Sequence, residues 1–255
     1  MRVDRPYAVP LEQRLIPASE ARRLLPGALV AAVEEAGRLA PGASCAFDAD
    51  GTLWRDDVGE AFLHHLIDLG LVKLPDGRDP YAAYEERVHQ DKATGYAYAA
   101  QLLAGLRQEH VERVAAAFAP AWVAPRLITS TQALLAILVE AGLRPAVVSA
   151  SAVEVVLAAA PLAGVPAARC TGMTVAPRAG VLTDALVAPI TYAQGKVEAI
   201  DKLGLRPLAL AAGDSLTGDL AMLEAARIAV VVAPRAGSAL AGEAARRGWV
   251  VLEQE

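Results

Sequence analysis

The feature that most constrains the fold of this chain is an apolar run, Cys45-Ala46-Phe47, ending in two carboxylates one residue apart, Asp48-Ala49-Asp50-Gly51-Thr52. An apolar stretch closed by acids reads as a buried strand that delivers charged groups to the carboxyl edge of a sheet. Two carboxylates that close in a partly desolvated place repel one another, which favours a shared proton or a divalent cation between them. The plainer alternative is an Asx turn, because Asp and Gly are turn formers. An EF-hand loop does not fit, since Leu53 stands where that loop needs Gly and Gly59 where it needs Glu.

Similar strand ends recur downstream. Ala146-Val147-Val148 runs into Ser149-Ala150-Ser151. The Ser149 hydroxyl there suits a phosphate oxygen, aided by the dipole of the following helix, and equally suits a simple helix cap. The apolar run 208–212 leads into Gly213-Asp214, where Asp214 completes an oxygen cage for a hard cation. Asp219 follows at the start of the next helix, a place where an acid is ordinary for dipole reasons. Lys196, in Gln194-Gly195-Lys196-Val197, lies in a first helical turn, the unfavourable end of the macrodipole for a cation. An exposed surface tolerates that placement, and paired carboxylates with a phosphate would explain it.

Composition narrows the chemistry. A 255-residue chain that is 55% hydrophobic can build a large core, and its net charge of -5 gives no basic face for nucleic acid. The two cysteines, Cys45 and Cys170, sit in apolar contexts and read as buried thiols of a reducing compartment. Four histidines and no paired-cysteine motif argue against zinc, so any metal is expected to be a hard ion held by oxygen. No signal-peptide core opens the chain and no apolar run has spanning length, so a soluble, cytoplasmic protein without membrane partners is expected.

Along the chain, residues 1 to about 17 are expected to be irregular, followed by a helical stretch 19–39 broken at Pro26-Gly27. The polar stretch 55–60 suits a loop or hairpin, 61–71 a helix, and 80–119 three short helices with breaks near Thr94-Gly95 and Gly105. Four of the six tyrosines (Tyr81, Tyr84, Tyr96, Tyr98) fall in that last segment, which marks it as a separate module. Segments 171–176 and 181–187 flank Pro177-Arg178-Ala179-Gly180 as a hairpin. The remainder alternates helix and strand. The expected architecture is α/β: a doubly wound, mostly parallel, Rossmann-like core (1–57 and 126–255) with a small helical module inserted at 58–125.

Taken together, Asp48-Ala49-Asp50-Gly51-Thr52, Ser149, Lys196 and Gly213-Asp214-Ser215 with Asp219 resemble the four motifs of the haloacid dehalogenase superfamily, in its phosphoserine-phosphatase-like branch. Four residues separate Asp214 from Asp219, where many relatives have three. The resemblance implies a magnesium-dependent phosphatase acting through an aspartyl-phosphate. Asp48 would be the nucleophile, Asp50 the general acid and base, and Ser149 and Lys196 the ligands of the transferring phosphoryl group. Mg2+ would be held by Asp48, the Asp50 carbonyl and Asp214, with Asp219 either ligating it or orienting Lys196. Gly51, Thr52 and Ala150 would contact substrate, and the insertion would be a cap closing over the site.

The resemblance also places specificity in the cap and in a flap of Trp54, Asp57 and Glu60. An acid near Asp57 receives the substrate amine in phosphoserine phosphatases; otherwise Asp56-Asp57 is a solvated turn. The four tyrosines would accept a cation such as choline, or form the cap's own core. The expected partner is a small phosphorylated metabolite such as phosphoserine, phosphocholine or phosphoethanolamine, and oligomeric state is unreadable between monomer and homodimer. A phosphotransferase uses the same intermediate and stays open. A receiver-like signalling domain is the remote alternative, being shorter and lacking the second Asp and the insertion.

Overall fold

The computed structural model describes residues 16–233 and 238–254. The irregular stretch expected at the start falls almost wholly outside them. Two helices open the described chain, α1 (Ala18–Leu24) and α2 (Gly27–Leu39). Their break is set by Pro26, which forces Leu25 into extended backbone at φ -116° and ψ 150°.

A sheet of six parallel strands follows, in the order β3-β2-β1-β6-β7-β8. These are β1 (Ser44–Phe47), β2 (Arg144–Ala152), β3 (Cys170–Met173), β6 (Leu208–Gly213), β7 (Ala226–Ala233) and β8 (Val250–Glu253). Successive residues of each strand serve opposite faces, as the pleat requires. Cys45, Phe47, Val147, Leu210 and Val230 join the apolar layer that includes α1, α2, α7 (Thr129–Glu140) and α8 (Val153–Ala159). Ala46, Ala146, Val148, Ala211 and Val231 join the layer of α9 (Gln194–Lys202), α10 (Leu216–Glu224) and α11 (Ala239–Arg247). Burial on both faces explains why these strands read as continuous apolar runs. The doubly wound α/β fold is as expected.

Register decides where the polar residues go. Phe47 pairs with Val147 on one side and with Ala212 on the other. Asp48, the 149–151 segment and Asp214 therefore emerge along one carboxyl edge, beside β1, where the strand order turns back.

Four helices are interposed between β1 and α7: α3 (Val58–Asp68), α4 (Pro80–Gln90), α5 (Lys92–Gln101) and α6 (Gln108–Val123). The expected loop at 55–60 is only partly right. Asp57 accepts a hydrogen bond from the Glu60 amide and starts α3 at once, so the helix begins three residues earlier than its apolar spacing suggested. The break expected at Thr94-Gly95 lies instead at Asp91, which caps α5 through the Thr94 amide. Pro120 is tolerated inside α6, which runs on to Val123.

The expected hairpin is also shorter than its sequence signal. Its first three residues belong to β3 of the main sheet, and only β4 (Val175–Arg178) and β5 (Val181–Leu186) pair antiparallel. That hairpin clasps the turn between α5 and α6, with Gly105 N–H donating to Leu182 O and Leu182 N–H to Leu106 O, both at 2.9 Å. Cys45 and Cys170 are free and buried, and burial pushes both thiols up to about 12. Among the described residues no helix is long and apolar enough to cross a membrane.

Candidate active site

The carboxyl edge opens into a cavity of about 450 Å³ roofed by α3, α4 and α5. At its floor lies a buried charge network. Lys196 is 2% exposed, Asp48 6% and Asp219 1%. The ammonium donates to Asp48 Oδ1 in a short contact and to Asp219 Oδ1 at 2.6 Å. Burial alone would drive Lys196 down, but Asp219 and Asp48 outweigh it and hold the ammonium charged. Its place in the first turn of α9 is thus explained by carboxylates facing it.

Both oxygens of Asp219 are engaged. Its Oδ2 accepts the amides of Asp214 at 3.1 Å and Ser215 at 2.9 Å, while Oδ1 takes Lys196. Ser215 caps α10 through the Gly218 amide, and this turn brings Asp219 back under the strand end. Asp48 keeps Oδ2 largely available, with only the Thr52 hydroxyl nearby at 3.3 Å.

Asp50 is held from three sides. Trp54 Nε1 and the Val58 amide donate to Oδ1 at 2.8 and 2.7 Å, and the Ser151 hydroxyl donates to Oδ2 at 2.7 Å. Burial lifts its carboxyl above the usual range, and these donors oppose the rise. Burial and then Asp219 push Asp48 up against the pull of Lys196. Burial and then Asp48 push Asp214 up to about 9.

Carboxylate oxygens of Asp48, Asp214 and Asp219 approach within 4.8 Å of one another. Repulsion among them is what a bound cation would relieve. All-oxygen donors suit a hard ion, and Gly51, at φ +75°, keeps the approach open, since a Cβ there would stand 2.3 Å from Asp214 Oδ2. The donor set therefore fits magnesium. Asp48 and Asp214 have oxygens available for it, and Asp219, whose Oδ1 takes only Lys196, keeps one acceptor direction.

The remaining expected residues divide. Gly51, Asp57, Glu60 and Ala150 line the cavity. Thr52 and Ser149 are fully buried outside its lining; the Ser149 hydroxyl accepts the Ser151 amide at 3.0 Å, and the Ser149 carbonyl accepts the Thr191 hydroxyl at 2.6 Å. Asp56 is exposed and pairs with Arg126 at 3.1 Å, so only half of the Asp56-Asp57 pair is solvated. Burial and then Asp50 push Asp57 up to about 8.

The four tyrosines do not act as one surface. Tyr84 and Tyr96 line the cavity, Tyr81 donates its hydroxyl to Glu60, and Tyr98 already carries the Arg87 guanidinium 3.7 Å from its ring centroid. Several lining residues carried no expectation, Ser151 and Gln254 among them. Ser151 was missed because the strand was expected to end at Ser149, whereas β2 continues to Ala152. Gln254 reaches the site from beyond β8 to donate to the Gly51 carbonyl, and no local pattern announces such a contact.

A model of the haloacid dehalogenase-like hydrolase family matches residues 45–224, from β1 through α10. This chain belongs to that family. No curated protein matches it at the level of sequence. Among solved structures, a haloacid dehalogenase-like fold is shared with a protein of unknown function from Bordetella pertussis Tohama I, at 20% identity and TM-score 0.71, over 84% of this chain and 100% of that one. A phosphoserine phosphohydrolase-like protein from Francisella tularensis subsp. tularensis SCHU S4 is similar at 16% identity and TM-score 0.56, over 82% of this chain and 94% of that one. Cytosolic 5'-nucleotidase IIIB bound to cytidine is similar at 15% identity and TM-score 0.58, over 88% and 85%. At such identities the likeness shows the fold alone.

Proposed function

We propose that the chain is a magnesium-dependent phosphatase that hydrolyses a small phosphomonoester through an aspartyl-phosphate on Asp48. The observation that carries this reading is Asp50, fixed by three donors two residues from a lysine-paired Asp48. Family membership and the phosphatase names of two fold neighbours support it.

Each residue then has a task. Asp48 attacks phosphorus, and the bond to the leaving oxygen breaks. Asp50 gives that oxygen a proton, and afterwards takes one from the water that attacks the aspartyl-phosphate. Lys196 offsets negative charge on Asp48 and on the phosphoryl oxygens, and Asp219 holds Lys196 in place. Asp48, Asp214 and the Asp50 carbonyl would hold magnesium, which would supply charge neutralisation for the phosphate. Most of the acceleration in such transfers comes from positioning and electrostatics.

Helices α3–α6 act as the cap, residues 58–125, that shields the site from water during the first step. The cavity suits a small metabolite rather than a polymer. Asp57, with one oxygen on the Glu60 amide and no basic side chain paired to it among the described residues, together with Tyr84 and Tyr96, favours an amine-bearing ester.

The test is phosphate release from a panel of small phosphomonoesters, with magnesium and with EDTA. Release that requires magnesium is expected from at least one amine-bearing ester. Release that EDTA leaves untouched would remove the metal, and no release from any ester would sink the hydrolase.

A further inference from the structure

Ser151 has no place in the mechanism above, yet it touches the group that handles the proton. Its hydroxyl donates to Asp50 Oδ2 at 2.7 Å, while its own amide is anchored on Ser149 Oγ at 3.0 Å. The other oxygen, Oδ1, accepts Trp54 Nε1 and the Val58 amide. Both acceptor directions of Oδ1 therefore face N–H groups, so a proton on this carboxyl belongs on Oδ2, beside Ser151.

A second observation points the same way. A Cβ at Gly59 would stand 2.4 Å from Ser151 Oγ and 2.8 Å from Ser151 Cβ. The first turn of α3 approaches β2 this closely only because position 59 has no side chain. The space thus left is occupied by the Ser151 hydroxymethyl group, which is 8% exposed at the cavity wall.

We propose that Ser151 is a positioning residue for the general acid: its hydroxyl fixes the plane of the Asp50 carboxyl so that Oδ2 presents its proton to the leaving oxygen, and Gly59 keeps the room it needs. The proposal rests on the phosphatase reading. As the phosphorus bond to the leaving group breaks, its electron pair goes to the leaving oxygen, which takes the proton from Oδ2. Asp50 is left as a carboxylate, to which the Ser151 hydroxyl keeps donating. The phosphoryl group is by then on Asp48, so no further reactant is needed.

Leaving-group dependence separates this role from a structural one. Nitrophenolate departs as an anion, whereas an alkoxide needs the proton. Steady-state kinetics would compare p-nitrophenyl phosphate with the best alkyl ester of the panel, for the native protein, Ser151→Ala, Ser151→Cys and Gly59→Ala. General-acid assistance contributes about 10²- to 10⁴-fold, so loosening the acid is expected to lower kcat for the alkyl ester by about tenfold or more. For the nitrophenyl ester the fall is expected to stay under about threefold, with KM little changed for either. Ser151→Cys keeps the volume and weakens the donor, so it guards against a misfolded alanine variant. Gly59→Ala crowds the hydroxyl and is expected to give the same split with Ser151 in place. Equal losses on both esters, or a rise in KM for both, would overturn the proposal by making Ser151 a phosphate ligand or a packing residue. Native protein inactive on both esters would instead overturn the phosphatase reading.

Discussion

At the sheet edge the carboxylates of Asp48 and Asp219 are buried, and that of Asp50 half-buried, among donors, whereas on α8 the buried carboxylate of Glu154 leaves Oε2 with no hydrogen-bond partner among the described residues. Burying a carboxylate costs several kcal/mol unless donors or a counter-charge replace the lost water. At the site, one lysine, three backbone amides, an indole and two hydroxyls do so. At Glu154 the nearby charge is that of Glu112, of the same sign. Asp57 lies between these extremes, with a backbone donor on Oδ1 and no cation. The gradation separates acids whose oxygens are matched by donors from acids left short of them.

The largest effect should come from the best-partnered end. Asp48→Asn removes the nucleophile while keeping its shape, so kcat is expected to fall about 10⁴-fold or more, with thermal unfolding within a few degrees of native. Activity near the native level with magnesium present would break the assignment of Asp48. Asp219→Ala should act on stability as well as rate. It deprives Lys196 of one of its two carboxylates and strands the amides of Asp214 and Ser215. Breaking one partner of a buried ion pair costs on the order of 3–5 kcal/mol, which denaturant unfolding would read directly. A loss under about 1 kcal/mol would mean that the network is wetter than its burial implies.

Asp57→Ala tests the intermediate case. With no internal cation to release, the variant is expected to fold normally and to raise KM for amine-bearing esters about tenfold, the scale of one ionic hydrogen bond. KM for p-nitrophenyl phosphate, which has no amine, should hardly move. An equal rise for both esters would reduce Asp57 to the cap of α3.

These residues also mark what the sequence could tell. Asp48, Asp50 and Asp214 were readable because apolar strands end on them, and a strand end fixes position to within a residue. Lys196 was readable from its unfavourable place in a helix start. The exposure of the Ser149 hydroxyl was not, because it depends on a strand that runs three residues further than the apolar pattern does. Nor was the start of α3, since Asp57 reads as turn or cap until the Glu60 amide is seen bound to it. The tyrosines pack in the core of their module, one of the two roles open to them, and two of them also line the cavity. Composition placed four in one module, but spacing does not show that Arg87 engages Tyr98 or that Glu60 takes the Tyr81 hydroxyl. Gln254 meets Gly51 across the whole length of the chain, a contact no local pattern encodes.

The smallest effect is expected at Glu154, and its sign is the sharpest check on the comparison. Burial lifts this carboxyl from 4.5 to about 7, with no donor beyond its own backbone to oppose the rise. Its folded pKa therefore lies above its unfolded one. Between these values the folded state holds a proton that the unfolded state has lost, so stability falls as pH rises from about 4.5 to 7 and is flat above that. Glu154→Gln removes this dependence by keeping the group neutral. The stability of the variant relative to native should improve between pH 4 and pH 8, by at most ~3 kcal/mol. About 1 kcal/mol is expected, because side-chain motion and water relax buried charges. Taking the difference between two pH values cancels the cost of the buried amide, which is the same at both. A variant whose relative stability is independent of pH would show that Glu154 is already solvated when ionised. It would then no longer differ in kind from the partnered acids of the site, and the contrast between the two regions would rest on the lysine alone.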